Sequence, residues 1–168
     1  EFYHLKPSLD NFQQQIDNKN FPILNRKTLV DALEDQYKNL SKSKETQSNM
    51  EALLLPKTFT ITTGHQLNLF TGPLYFLYKI ISTINLAKEL KENFPDKNFI
   101  PVYWMATEDH DFEEICYFNY KGSKVKWDKD VQGAVGRTST EGLDDVFDQI
   151  EKLFGQNKHA FRLKQLFS

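Results

Sequence analysis

What this sequence lacks narrows it first. It holds one cysteine, Cys116, so no internal disulfide framework forms and a reducing, cytoplasmic setting is expected. No run of about 18 or more apolar residues is present, and no signal-peptide pattern is visible, so a membrane partner is not expected. There is no excess of Lys and Arg. The formal net charge is -2, without the basic footprint of a dedicated nucleic-acid binder. Neither the Gly-Lys-Ser/Thr of a phosphate loop nor the dinucleotide Gly-x-Gly-x-x-Gly occurs. Internal repeats and low-complexity tracts are also missing.

What is there is ordinary globular composition, 39% hydrophobic and 26% charged, with 14 Phe to fill a core. The 168 residues allow one domain, or one plus an extension. The chain begins at Glu1 without Met and stops at "KQLFS", so it is expected to be a piece of something longer.

Residues 1–56 read as a helical amino-terminal extension. Ser8 is the expected cap of a helix with Leu9, Phe12 and Ile16 at helical spacing. Asn25 is the expected cap of a second, carrying Leu29, Leu33, Tyr37 and Leu40, and a third follows Ser43. Pro56 closes the segment, and nothing in it suggests chemistry.

The pattern then changes. "TFTITT" (Thr58–Thr63) is a β-branched run and predicts a strand. Pro73 after Gly72 is a first-turn proline, and the helix it opens runs to about Asn93. Leu74, Leu77, Ile81 and Ile84 form one face, which Phe76, Ile80 and Ala87 widen, so burial against a sheet is expected. "FIPVYWMA" (Phe99–Ala106) predicts a strand covered on both faces. Strand, helix and strand make a βαβ unit with parallel strands. A hairpin turning at Lys121-Gly122 follows, so that the core and hairpin occupy 57–127. Residues 128–168 are a loop, a helix from Thr140 through Phe154 with Leu143, Val146, Phe147, Ile150 and Phe154 inward, and a last helix after Asn157.

Polar residues stand where both strands end. Gly64, His65 and Gln66 follow the first strand, and Glu108, Asp109, His110 and Asp111 follow the second. In an open parallel sheet, ligands bind outside the carboxyl ends of the strands. The loop that feeds the helix, with Asn68, Thr71 and Gly72, presents free N–H groups to a phosphate or carboxylate. Gly64 and Gly72 would let backbone approach a ligand closely. His65 and His110 suit proton movement or donation to developing charge, and Asp109 or Asp111 would orient a histidine or receive an amine. A plainer reading stands beside this one. A histidine at a strand end is often a hydrogen-bonded turn residue, and "EDHDFEE" can be acidic enrichment at a helix start. Metal ligation by the acids with His110 has no second ligand motif in support, and no metal is expected. Cys116 reads as a small buried hydrophobe. Gly133–Arg137 reads as a plain turn, and Lys79 as a snorkelling side chain rather than a ligand contact.

Two segments, "TTGHQLNLFTGPLYFLYKI" and "VYWMATEDHDFEEI", closely resemble the amino-terminal part of the BshC family, the cysteine-adding enzymes of bacillithiol biosynthesis. The match runs at least from Thr58 to Ile115, and "VGR" and "TEGL" beyond it fit as well. The resemblance implies an α/β fold: a partial Rossmann-like parallel-sheet core with a helical extension before it and a small antiparallel hairpin after it. It implies a ligase that joins cysteine to glucosamine malate, in a full-length homodimer with a carboxy-terminal coiled coil that is missing here. The core is similar to those of nucleotide-using ligases, which makes ATP a candidate activating group without fixing the cofactor, with Gly64-His65-Gln66 in the position of their phosphate loop. The family lacks the two-histidine signature of those enzymes. On this resemblance the catalytic candidates are His65, His110 and Asp109. Gly64, Gln66, Asn68, Thr71, Gly72, Glu108 and Asp111 would bind substrate or nucleotide. The alternative is a non-catalytic module holding a dicarboxylate or nucleotide.

Overall fold

The computed structural model describes residues 4–70 and 72–167. Seven helices and four strands are assigned among them: α1 (Leu9–Asp17), α2 (Ile23–Gln36), α3 (Lys44–Ala52), β1 (Thr58–Gln66), α4 (Leu74–Asn93), β2 (Asn98–Ala106), α5 (Phe112–Ile115), β3 (Tyr117–Tyr120), β4 (Ser123–Lys126), α6 (Leu143–Phe154) and α7 (Lys158–Phe167). β1 and β2 pair in parallel, with α4 as their connection, and β3 and β4 pair antiparallel. The expected α/β class and βαβ unit are therefore present. The chain divides into two compact units, one of residues 1–62 and 81–102, the other of 63–80 and 103–168.

The first unit holds α1, α2, α3, the opening residues of β1 and β2 and the later part of α4. Ile16 of α1 packs with Ala87, Leu90 and Phe99, and Val30 of α2 with Leu53 and Ile100. Ser43 caps α3 by accepting from the Thr46 N–H at 3.1 Å. Ser8 precedes α1 in extended conformation but makes no side-chain cap bond. Asn25 is not a cap. α2 begins two residues earlier behind Pro22, whose carbonyl accepts from the Asn25 and Arg26 N–H groups. Arg26 is buried and spans a gap no apolar side chain could satisfy. Its guanidinium donates to the carbonyls of Leu53 (3.1 Å), Pro56 (3.1 Å) and Thr58 (3.0 Å), tying the chain between α3 and β1 to α2.

The second unit is built around Leu69, Phe112, Ile115, Cys116, Val125, Trp127, Val135, Val146 and Ile150. The hairpin turns at Lys121 and Gly122, both with positive φ (49° and 83°), the geometry that matches strand twist. α6 starts at Leu143 behind Gly142 (φ 85°). Thr140 contributes only its carbonyl, to the Leu143 N–H at 3.1 Å, so the expected threonine cap is replaced by a glycine one. Asn157 caps α7 as expected, its Oδ1 accepting from the N–H groups of His159 and Ala160.

Two burial expectations fail. On α4 the buried residues are Ala87 and Leu90, with Phe76, Ile80 and Thr83 half-buried on the same stripe. Leu74, Leu77 and Ile81 instead face water, Leu74 being 66% exposed. A helix buries only about 100° of its circumference against one neighbour, and the stripe at 76, 80, 83, 87 and 90 takes that place. On β2, Phe99 and Ile100 are buried but Trp104 and Met105 are exposed, so the strand is covered only at its start.

Candidate functional site

β1 continues three residues past the predicted end, so Gly64, His65 and Gln66 are its last residues rather than a loop after it. The extension depends on Gly64. A Cβ there would stand 3.0 Å from the Trp104 carbonyl oxygen and 3.1 Å from its Cβ, so the close approach this glycine permits is to β2. The chain then folds tightly back. Leu69 is buried and its N–H donates to the Ile115 carbonyl at 3.3 Å, while the Gly72 N–H donates to the Leu69 carbonyl at 3.1 Å. Phe70 takes a left-handed φ of 55°, which an aromatic side chain rarely adopts. Edge-on contacts with Phe118 and Phe147 hold it there. At Gly72 (φ 59°) a Cβ would lie 2.8 Å from the Asn68 Cβ, so only glycine fits beside this asparagine.

His65 is half-buried at the centre of this turn. Its Nδ1 lies 3.0 Å from both the Gln66 carbonyl oxygen and the Asn68 Nδ2, and Asn68 Nδ2 also donates to that carbonyl at 2.9 Å. Its Nε2 is hydrogen-bonded to the Tyr75 hydroxyl. Phe76 meets the ring edge-on at 5.5 Å and in turn meets Tyr103 at 5.5 Å. The Tyr103 hydroxyl donates to the His65 carbonyl at 3.2 Å, and burial pushes that phenol's pKa up. Lys79 Nζ donates to the Gly64 carbonyl.

The second strand end is anchored separately. Asp109 Oδ1 accepts from the Asp111 N–H at 3.1 Å, and the Asp109 carbonyl accepts from the Val135 N–H at 2.7 Å. The Gly136 N–H donates to the Thr107 carbonyl at 2.9 Å. Glu108 accepts from the Trp104 Nε1 at 3.3 Å. His110 and Asp111 are exposed, and the His110 imidazole has no partner among the described residues. The two segments meet where Gln66 Nε2 donates to Glu114 Oε2 at 3.0 Å.

The structure thus gathers Gly64, His65, Gln66, Asn68 and Gly72 in one tight turn, and Glu108, Asp109, His110 and Asp111 in one loop. Among the described residues no hydrogen bond or ring contact joins His65 to His110. Thr71 lies outside the described residues. No group of three or more potential metal ligands occurs among the described residues.

Four contributors were not singled out from the sequence as site residues: Tyr75, Tyr103, Glu114 and Lys79, the last of which was expected to snorkel. Tyr75 and Lys79 did leave a signal. They stand four residues apart on the first turns of an otherwise apolar helix, hence on one face. The "VGR" segment, expected to be a plain turn, is a 3-10 turn (Val135–Arg137) that grips the second loop through its backbone.

A parallel β-α-β unit with polar residues at both strand ends defines a Rossmann-like α/β protein; in open sheets of this kind ligands bind outside the carboxyl ends of the strands. The model of the family "Bacillithiol biosynthesis BshC, N-terminal Rossmann-like domain" matches residues 1–168, and the chain belongs to that family. Similar proteins carry the name "Putative cysteine ligase BshC". That of Flavobacterium psychrophilum is 57% identical over 171 residues, covering 100% of this chain and 32% of its own length. That of Flavobacterium johnsoniae is 59% identical over 98% of this chain, and that of Cytophaga hutchinsonii 41% over 95%. The chain spans about a third of the length of these curated relatives.

Proposed function

We propose that this chain serves bacillithiol biosynthesis as part of an enzyme that joins cysteine to glucosamine malate. The observation that carries this is the family match over residues 1–168, on a chain whose two strand ends both bear hydrogen-bonding side chains. The reaction is an amide-forming ligation. The amine of glucosamine malate attacks the activated carboxyl carbon of cysteine, the new C–N bond forms as the activating group leaves, and the amine gives up a proton.

His110 and Asp109 are the proposed catalytic residues, with His65 in the turn at the end of β1 beside them in the proposed site. Asp109 and exposed His110 would orient the amine and accept its proton, since both can reach solvent-borne substrate. Gly64, Gln66, Asn68, Thr71, Gly72, Glu108 and Asp111 would surround the ligand. ATP would supply the activation, because amide formation from free acids is uphill. The N–H groups available to its phosphates are those at the start of α4. Gly72 and Phe76 already donate to backbone carbonyls and Pro73 has none, which leaves Leu74 and Tyr75 without a backbone partner among the described residues. We further propose that the full-length protein is cytoplasmic and works as a homodimer. No helix among the described residues is long and apolar enough to cross a membrane.

The test is turnover by the full-length protein with cysteine, glucosamine malate and ATP. The expected result is product formation that is lost in His110→Ala while ligand binding is retained. Binding of glucosamine malate without product under any nucleotide condition would instead make this a ligand-binding module.

A further inference from the structure

Both ring nitrogens of His65 are engaged by the protein. Nδ1 sits against the Gln66 carbonyl and the Asn68 amide, and Nε2 is bonded to the Tyr75 hydroxyl. This holds whichever nitrogen carries the proton, because the two positions are filled from opposite sides of the ring. The ring is also fixed in plane, between Tyr75 at 5.1 Å and the edge of Phe76 at 5.5 Å. An imidazole held in this way has no lone pair or N–H left for a ligand. The phenol differs. A tyrosine hydroxyl offers one donor and two acceptor positions, and His65 uses one of the three. Tyr75 is 54% exposed, on the first turn of α4.

We infer that Tyr75, and not His65, presents the hydrogen-bonding atom to the substrate, and that His65 is the positioning residue behind it. The ligand atom it meets is an oxygen of the small polar substrate, carboxylate or hydroxyl. The inference rests on the reading of the preceding subsection and sharpens it by exchanging the roles within one cluster.

The experiment uses the full-length protein, with glucosamine malate as the probe, titrated by calorimetry and then turned over with cysteine and ATP. Tyr75→Phe is expected to weaken binding about tenfold and to raise KM more than it lowers kcat, with the melting temperature unchanged. Tyr75→Gln, which restores a polar tip, is expected to recover part of the loss. His65→Gln is expected to give a smaller loss, and the double variant to be no worse than Tyr75→Phe alone, because the two residues act in series. Normal binding and turnover in Tyr75→Phe, alongside a tenfold loss in His65→Gln, would overturn the assignment. So would a double variant whose loss equals the product of the single losses. Wild-type protein that neither binds glucosamine malate nor forms product overturns the ligase reading itself, and the assignment with it.

Discussion

Gly136 stands so close to Thr107 that a Cβ on it would lie 2.5 Å from the threonine Cβ and 2.8 Å from its carbonyl oxygen. The turn at Val135–Arg137 therefore seats its backbone directly on the loop that carries Asp109 and His110. Gly136→Ala is expected to destabilise the protein by about 1–3 kcal/mol through overpacking. Thermal unfolding would read this as a lowered melting temperature. Adding Thr107→Gly should return part of the loss, because it removes the nearest atom. A melting temperature unchanged by Gly136→Ala would show that the loop yields freely.

Asp109 is joined to its surroundings mainly through backbone, and the one side-chain bond found accepts from the Asp111 N–H. An amide oxygen can accept that bond equally well. Asp109→Asn in the full-length protein is therefore expected to change stability by less than about 0.5 kcal/mol while lowering turnover about 100-fold. A variant that loses its melting transition and keeps normal specific activity would make Asp109 structural.

Arg26 is buried with three backbone carbonyls as its partners. Arg26→Met keeps the length of the side chain but leaves those acceptors without their donor. The expected cost is about 3 kcal/mol in urea unfolding. Arg26→Lys is expected to recover little, since one ammonium cannot span carbonyls that a planar fork reaches together. A cost below about 1 kcal/mol would mean that water replaces the guanidinium.

Cys116 is fully buried. Burial first, then the Glu113 carboxylate, raises its thiol pKa above the ordinary value of 9.0. The folded state thus holds the proton more tightly than the unfolded one. The stabilisation is complete below pH 9 and is lost as pH rises through the folded pKa. The native thiol is expected to resist alkylation at pH 8, and to react at once in denaturant. Equal rates in both states would place Cys116 at the surface.

α4 leaves Leu74, Tyr75, Tyr78 and Ile81 more than half exposed. Apolar surface of this kind gains about 25 cal/mol per Å² when it leaves water. The 168 residues expressed alone are therefore expected to self-associate. Sedimentation at tens of micromolar would show it, and a clean monomer with a sharp thermal transition would count against it.

Much of the fold could be read locally. β-branched residues at 58–63, the Gly-Pro before α4, the Lys-Gly turn of the hairpin and the caps at Ser43 and Asn157 act through their own backbone or a few neighbours. So a sequence carries them openly. Helix starts without a polar cap were harder. α2 begins behind a proline and α6 behind a left-handed glycine, and neither leaves the serine or aspartate signature that marks a start. The strand ends were legible as polar interruptions of apolar runs, but their partners were not.

The sequence alone determined the order of elements, the α/β class and the two polar segments, because periodicity and turn chemistry are short-range. Tertiary structure decided the rest. It lengthened β1 through the approach of Gly64 to Trp104, chose which stripe of α4 is buried, and placed Tyr75 on the imidazole of His65. Each of these depends on atoms brought within a few ångströms of each other by packing. Spacing along the chain carries no record of distances that arise only when separate elements meet.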